Sequence, residues 1–277
     1  MYGKHPNIET PGNSVKIWRY MDLSKLIALL EYNSLYFCRV DKLGDPFEGS
    51  LPKKHTLDFF AGTEDQRKLA IKKLEENGMP VADRSKEALM EYSIVNDMRN
   101  NVYVNCWHMN SHESDAMWKL YQKEGEGVAI QSTVSRVKKS FQNTDVGVMI
   151  GRVKYLDYEK DEFKDRNLLT FSFAKRISFE HEKEVRLAIT YTPKEQYANV
   201  DSDKLPKMPN DIKISDDYGL YAKVDVKKLI NKISINPIAT DITHIKIEKQ
   251  KMDSFFDSVS ILSYFPAFIK RFPVFLH

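Results

Sequence analysis

The sequence predicts one mixed α+β domain over residues 1–277, with a largely antiparallel sheet as its core. Three observations carry that expectation. Short apolar runs of strand length, such as V-K-I-W-R-Y-M, V-Y-V-N-C-W-H and E-V-R-L-A-I, recur along the chain, and helical stripes lie between them. The 277 residues are 42% hydrophobic, and 15 Phe with 14 Tyr supply bulky packing surface, enough for a sizeable core. No repeat, low-complexity run or clean linker divides the chain, so a helical insertion at about residues 52–100 is read as part of the same domain.

The elements follow in order. Residues 15–21 read as a first strand. Asp22 is placed to cap a helix whose Leu23, Leu26, Ile27 and Leu30 form one apolar stripe, and Asn33 closes it. L-Y-F-C is a short strand, and R-V-D-K-L-G-D-P-F-E-G-S-L-P after it carries the strongest turn signals in the chain. Within the insertion, T-E-D-Q at 63–66 resembles a capping box for a helix ending at Asn77-Gly78, and a second helix runs from about 83 to 100.

Strand signals return at 102–108, followed by a helix capped by Ser114. G-V-A-I-Q is the next strand, with a short helix to about Phe141 and a longer strand over 146–155. A helix near 167–176 and a strand over 183–191 come next, then a polar, proline-bearing loop over about 193–217. L-Y-A-K-V, D-V-K-K-L-I and I-S-I-N-P read as strand, short helix and strand, and a last helix as 240–256.

Bulk composition excludes several classes of protein. Lys and Arg total 42 against 39 Asp and Glu, a net charge of +3, so charge does not indicate nucleic acid binding. Cys38 and Cys106 are too few for a disulfide framework or a cysteine-rich zinc site, and both are expected as buried free thiols in a reducing, cytoplasmic setting. The first residues lack the apolar stretch of a signal peptide. The apolar tail I-L-S-Y-F-P-A-F-I-K-R-F-P-V-F-L-H is broken by prolines and a Lys-Arg pair, so no membrane span is expected.

The segment S-F-E-H-E-K-E-V-R-L-A-I, residues 178–189, raises the functional question. Alternation along a strand puts Val185, Leu187 and Ile189 on one face and Glu182, Glu184 and Arg186 on the other. That charged face is either solvated, as in many antiparallel sheets, or the wall of a ligand cleft. G-D-P-F-E-G at 44–49 reads first as turn chemistry, with Asp45 accepting from nearby backbone N–H groups. Met117, Trp118 and Tyr121 project from one part of a helix and read first as core.

Taken together, these motifs resemble a bacterial family known as Domain of Unknown Function 2971. The resemblance rests on W-R-Y at 18–20, G-D-P-F-E at 44–48, M-W-K-L-Y at 117–121 and G-V-A-I at 127–130. It continues through V-K-Y at 153–155, K-R-I-S-F-E-H-E-K-E-V-R at 175–186 and I-S-I-N-P-I-A at 233–239. The chain departs from that pattern at Gly44, which replaces an Asn, at Phe179, which replaces a Trp, and at C-W-H over 106–108, where C-F-S is usual.

A weaker similarity, of element order only, is to ADP-ribosyltransferases: an early strand bearing Arg, a middle strand, and a late strand bearing E-x-E. What this similarity implies is an ADP-ribosyltransferase-like enzyme that uses NAD as substrate and acts on a macromolecular acceptor of unknown identity, in a toxin or phage-defence context. Glu182 and Glu184 would be the catalytic pair, since a fixed carboxylate stabilises the oxocarbenium-like state of glycosidic cleavage. Arg19, Tyr20, Asp45, Glu48, His108, Lys175 and Arg186 would bind the nucleotide-type ligand, with Arg19 forking onto pyrophosphate.

Two alternatives stay open. Asp45, Glu48, Glu182 and Glu184 could serve a divalent-metal phosphoesterase or nuclease, although seven scattered His give no metal-ligand spacing. Glu184 and Arg186 could instead form an ion-pair lattice in a non-catalytic binding protein.

Overall fold

The computed structural model describes residues 2–3, 5–50, 99–121, 127–161, 168–192, 207–216 and 218–236. The helix expected at 63–78, all but the last two residues of the one expected over about 83–100, and the one expected over 240–256 lie outside the described residues. Twelve strands are described: β1 (Tyr2–Gly3), β2 (Lys16–Asp22), β3 (Ser34–Arg39), β4 (Val102–Met109), β5 (Gly127–Thr133), β6 (Val148–Arg152), β7 (Lys154–Leu156), β8 (Ala174–Arg176), β9 (Glu184–Thr190), β10 (Ile212–Asp216), β11 (Gly219–Lys223) and β12 (Lys232–Ile235). The helices are α1 (Leu23–Tyr32), α2 (Asp115–Tyr121), α3 (Val134–Ser140), α4 (Leu168–Phe171) and α5 (Val226–Leu229). This is a mixed α+β fold.

Ten strands form one sheet in the order β1-β6-β9-β4-β2-β5-β12, with β10-β11-β3 branching from β4. Every pairing in it is antiparallel except that of β1 with β6. The branch is the feature that positions the site. On one edge β4 pairs fully with β9, from Val102↔Thr190 to His108↔Glu184. On the other edge its start pairs with β3 through Cys38↔Val104 and Arg39↔Tyr103, and its end pairs with β2 through Ile17↔Met109 and Trp18↔His108.

Between those two ladders Asn105, Cys106 and Trp107 meet side chains instead of strands. Asn105 Nδ2 donates to the Tyr36 carbonyl at 2.7 Å, and Arg19 donates to the Cys106 carbonyl at 2.8 Å. Trp107 Nε1 donates to Asn105 Oδ1 at 2.7 Å. Buried backbone groups need partners, and here polar side chains close the fork that two diverging strands leave open.

Local signals explain much of the rest. Asp22 accepts from the Lys25 N–H at 2.8 Å to open α1, and Asn33 closes it in the left-handed region at φ 46. Leu26 and Leu29 are its buried residues, with Leu23 and Leu30 packed alongside. Gly49 also takes a positive φ of 66, and a Cβ there would approach Val40 Cγ1 to 2.8 Å. The G-D-P-F-E-G loop therefore needs glycine at this end.

Several expectations are corrected. The single strand over 146–155 is two. It breaks at Val153, and β7 leaves the main sheet to pair in parallel with β8. The helix near 167–176 is limited in the described residues to the single turn α4, with β8 after it. The loop over 193–217 contains β10, which forms a hairpin with β11; residues 193–206 lie outside the described residues. Cys38 and Cys106 are free but only partly buried. Tyr121, expected in the core, is 46% exposed.

The main core lies on the face of the sheet carrying Ile17, Trp107, Ile130, Val185 and Leu187, beneath α1, α3 and α5. On the opposite face α2 packs Met117 and Trp118 against Trp18, Tyr20 and Ala129. Trp118 is 5% exposed and meets the Tyr20 ring edge-to-face at 4.9 Å. Trp118→Ala should cost about 3–5 kcal/mol in chemical denaturation. A loss under about 1 kcal/mol would show that α2 is held to the sheet by other contacts.

Candidate functional site

The W-R-Y strand builds one wall. Trp18 Nε1 donates to the Asn110 carbonyl at 3.0 Å, and the Tyr20 hydroxyl accepts from the Ser114 N–H at 2.8 Å. Trp18 and Tyr20 thus fasten the β4–α2 connection to β2. A cleft of about 120 Å³ opens beside them, lined by Trp18, Arg19, Tyr20, Met21, Lys25, Cys106, Trp107, His108, Met117, Tyr121, Glu182 and Glu184. Of the residues singled out in the sequence, Arg19, Tyr20, His108, Glu182 and Glu184 meet here. Lys25 reaches the same cleft without a signal of its own in the sequence, and Cys106 and Tyr121, read there as a buried thiol and a core residue, reach it as well. Their approach depends on the fork, which no local pattern announces.

Beneath the cleft lies a buried network of charge. Arg186, 1% exposed, donates through Nε to Glu184 Oε1 at 2.7 Å and through a terminal nitrogen to Glu184 Oε2 at 3.0 Å. That terminal nitrogen also meets both Glu48 oxygens, at 2.9 and 2.7 Å, and the other donates to the Ser172 carbonyl at 2.5 Å. Lys175 Nζ lies 2.6 Å from Glu182 Oε2, 3.4 Å from Glu48 and 3.5 Å from Glu184. Arg176 grips both oxygens of Asp45 at 2.8 and 3.1 Å, while its guanidinium stacks over Phe47 and Phe179.

The charged face of 182–186 is therefore not a solvated face. Glu184 and Arg186 are buried on β9, and Asp45, Glu48, Lys175 and Arg186 stand behind the cleft rather than on its wall. Asp45 also accepts from the Phe47 N–H at 3.1 Å, the turn chemistry read from the loop. Glu182 requires a correction. It does not continue β9 but ends a 3-10 turn over Ile177–Glu182, and Lys183 follows in the left-handed region at φ 42. Its side chain reaches the cleft from this turn, not by strand alternation.

Electrostatics follow from burial and pairing. Burial alone would raise the Glu184 carboxyl, but Arg186 and Lys175 outweigh it and hold the group down to about 2. Burial would likewise lower Lys175 and Arg186, yet the carboxylates keep both above their ordinary values. The Cys106 thiol is pushed well up by burial and by Glu184, so it stays protonated. Burial also lowers Arg19.

His108 is pulled down by burial, partly offset by the Glu182 carbonyl, and is neutral at pH 7. Its Nδ1 donates to that carbonyl at 2.6 Å, so Nε2 carries the lone pair; this atom is buried, with no hydrogen-bond partner among the described residues.

No group of three or more His, Cys, Asp or Glu among the described residues is arranged to hold a metal ion. The carboxylates of the metal alternative instead face Arg176, Arg186 and Lys175. Among the described residues no helix is long and apolar enough to cross a membrane.

The fold and site define an α+β protein with an aromatic and charged cleft at a forked sheet. Residues 117–187 match the family model described as "Protein of unknown function (DUF2971)", a segment that holds M-W-K-L-Y and the whole run from Lys175 to Arg186. The family resemblance read from the motifs is thus supported over this segment. Neither the curated proteins nor the solved structures searched contain a match. The likeness to ADP-ribosyltransferases rests on element order alone.

One consequence concerns acid stability. Glu184 ordinarily titrates near 4.5 and is held to about 2 in the fold. The unfolded chain therefore binds more protons in that interval, and the contribution of Glu184, complete above pH 4.5, is lost as pH falls toward 2. Glu184→Gln should flatten the dependence of unfolding free energy on pH across this window. An unchanged slope would show that Glu184 is not held ionised by its partners.

Proposed function

We propose that the cleft binds a nucleotide-type small molecule and that its chemistry is ADP-ribosyl transfer from NAD. One observation carries the reading: Arg19 from β2 and the carboxylates Glu182 and Glu184 line a single cleft although they are more than 160 residues apart in the chain. A space of about 120 Å³ is close to the size that admits one six-membered ring. It suits the nicotinamide or its ribose, with the rest of the dinucleotide outside. Trp18, Tyr20 and Tyr121 offer aromatic surface to that ring, and Arg19 offers forked donors to phosphate.

In this scheme the bond between ribose C1′ and the nicotinamide nitrogen breaks, and its electron pair leaves with the ring, which becomes neutral. C1′ gains oxocarbenium character, stabilised by a carboxylate in the cleft. The acceptor's nucleophilic oxygen or nitrogen then bonds to C1′ and releases its proton. With water as acceptor the products are ADP-ribose, nicotinamide and a proton. The macromolecular acceptor, a cytoplasmic setting and a toxin or phage-defence role belong to the same reading.

A second reading has its own support. Glu48 and Glu184 are matched by Arg186 on both oxygens, as in a structural lattice, and this favours a non-catalytic ligand-binding protein. Incubating the protein with NAD and quantifying nicotinamide separates the two. Transfer or hydrolysis predicts release above the buffer blank, and Arg19→Lys should raise KM for NAD roughly tenfold by removing the fork. NAD binding by calorimetry without release would favour the non-catalytic reading. Neither binding nor release at millimolar NAD would sink both as stated for this ligand.

A further inference from the structure

We infer that Glu182, and not Glu184, is the carboxylate that touches the reacting ribose, and that Glu184 is a positioning residue. The inference rests on the ADP-ribosyl-transfer reading of the cleft and assigns the two carboxylates within it.

The two carboxylates are held in different ways. Glu184 meets Arg186 through both oxygens, at 2.7 and 3.0 Å, has Lys175 at 3.5 Å, and is 5% exposed. A carboxylate in this state has its charge matched and its lone pairs directed away from any ligand. Glu182 meets Lys175 through Oε2 alone, at 2.6 Å, while Oε1 has no partner among the described residues and the side chain keeps 12% of its surface. It is the carboxylate with an oxygen to offer.

Burial points the same way. Arg186 is engaged by Glu48 and Glu184, both more deeply buried than Glu182. Glu182 stands on the cleft wall with the more exposed carboxylate, where positive charge developing at C1′ would meet it.

The backbone displaying Glu182 is also fixed. His108 Nδ1 donates to the Glu182 carbonyl at 2.6 Å, the Met109 N–H donates to the Lys183 carbonyl at 2.9 Å, and Lys183 sits in the left-handed region. A carboxylate with a pinned backbone, one anchored oxygen and one open oxygen is preorganised for a transition-state contact. Glu184 acts through Lys175, whose ammonium it helps to keep beneath Glu182.

The test compares Glu182→Gln and Glu184→Gln for nicotinamide release, KM for NAD and melting temperature. Glu182→Gln should lower kcat by about a hundredfold or more, leave KM within roughly twofold, and leave melting unchanged. Glu184→Gln should lower the melting temperature and reduce kcat by no more than about tenfold. Glu182→Ala with added formate provides a second measurement, and partial recovery of kcat is expected from an external carboxylate occupying the open position. An active wild type whose Glu182→Gln variant keeps full kcat would overturn the assignment and leave the transfer reading intact. A wild type that releases no nicotinamide would overturn the reading itself, and this assignment with it. Should Glu184→Gln fail to fold, the Glu182 variants alone decide.

Discussion

The buried contact between Arg186 and the two carboxylates Glu48 and Glu184 is the constraint on which the rest of the site depends. It joins three distant pieces of chain: the G-D-P-F-E-G loop after β3, the strand β9, and, through Lys175, the short strand β8. An ion network this deep gains little net stability over an apolar replacement, because desolvation offsets most of the attraction. Its effect is on position. A guanidinium has a fixed fork, so Arg186 sets where the Glu184 carboxylate lies and where the Glu48 loop must close. Asp45 and Arg176 repeat the tie a few residues away, with Asp45 buried and Arg176 partly exposed.

Above this floor the forked sheet supplies the cleft. β2 and β3 diverge from the same edge of β4, and in the gap between them the Arg19 side chain meets the Cys106 carbonyl and the Asn105 side chain meets the Tyr36 carbonyl. Arg19 therefore does two things at once. It completes a backbone hydrogen bond at the fork and presents its remaining donors to the cleft. Trp18 and Tyr20, on the other face of the same strand, hold the β4–α2 connection that brings Tyr121 to the rim. The W-R-Y and M-W-K-L-Y motifs are thus two halves of one wall.

Local chemistry made much of the fold legible. The Asp22 and Asn33 caps, and the alternation that puts Val185, Leu187 and Ile189 of β9 into the core, are short-range signals, and each appears where the sequence places it. What stayed hidden depends on partners far away in the chain. The run 146–155 reads as one strand because its apolar pattern is continuous, but Arg152 pairs with Val185 whereas Lys154 pairs with Ala174. β10 carries the polar composition of a loop and becomes a strand only because β11 is beside it. Glu182 fits the two-residue alternation of β9, yet Lys183 in the left-handed region takes it off the strand. The site residues were visible as charged motifs. That Arg186, Glu48 and Lys175 would lie under the cleft rather than in it required the packing of α4, β8 and the loop.

The central claim is that Arg186 and Glu48 couple the loop to β9. A double-mutant cycle tests it most directly, with unfolding free energies measured by denaturation for the wild type, Arg186→Met, Glu48→Gln and the double variant. The account predicts strong non-additivity, a coupling of at least about 1.5 kcal/mol, because each single change leaves buried charge poorly matched and the double change removes both partners. Effects that add to within about 0.5 kcal/mol would contradict it.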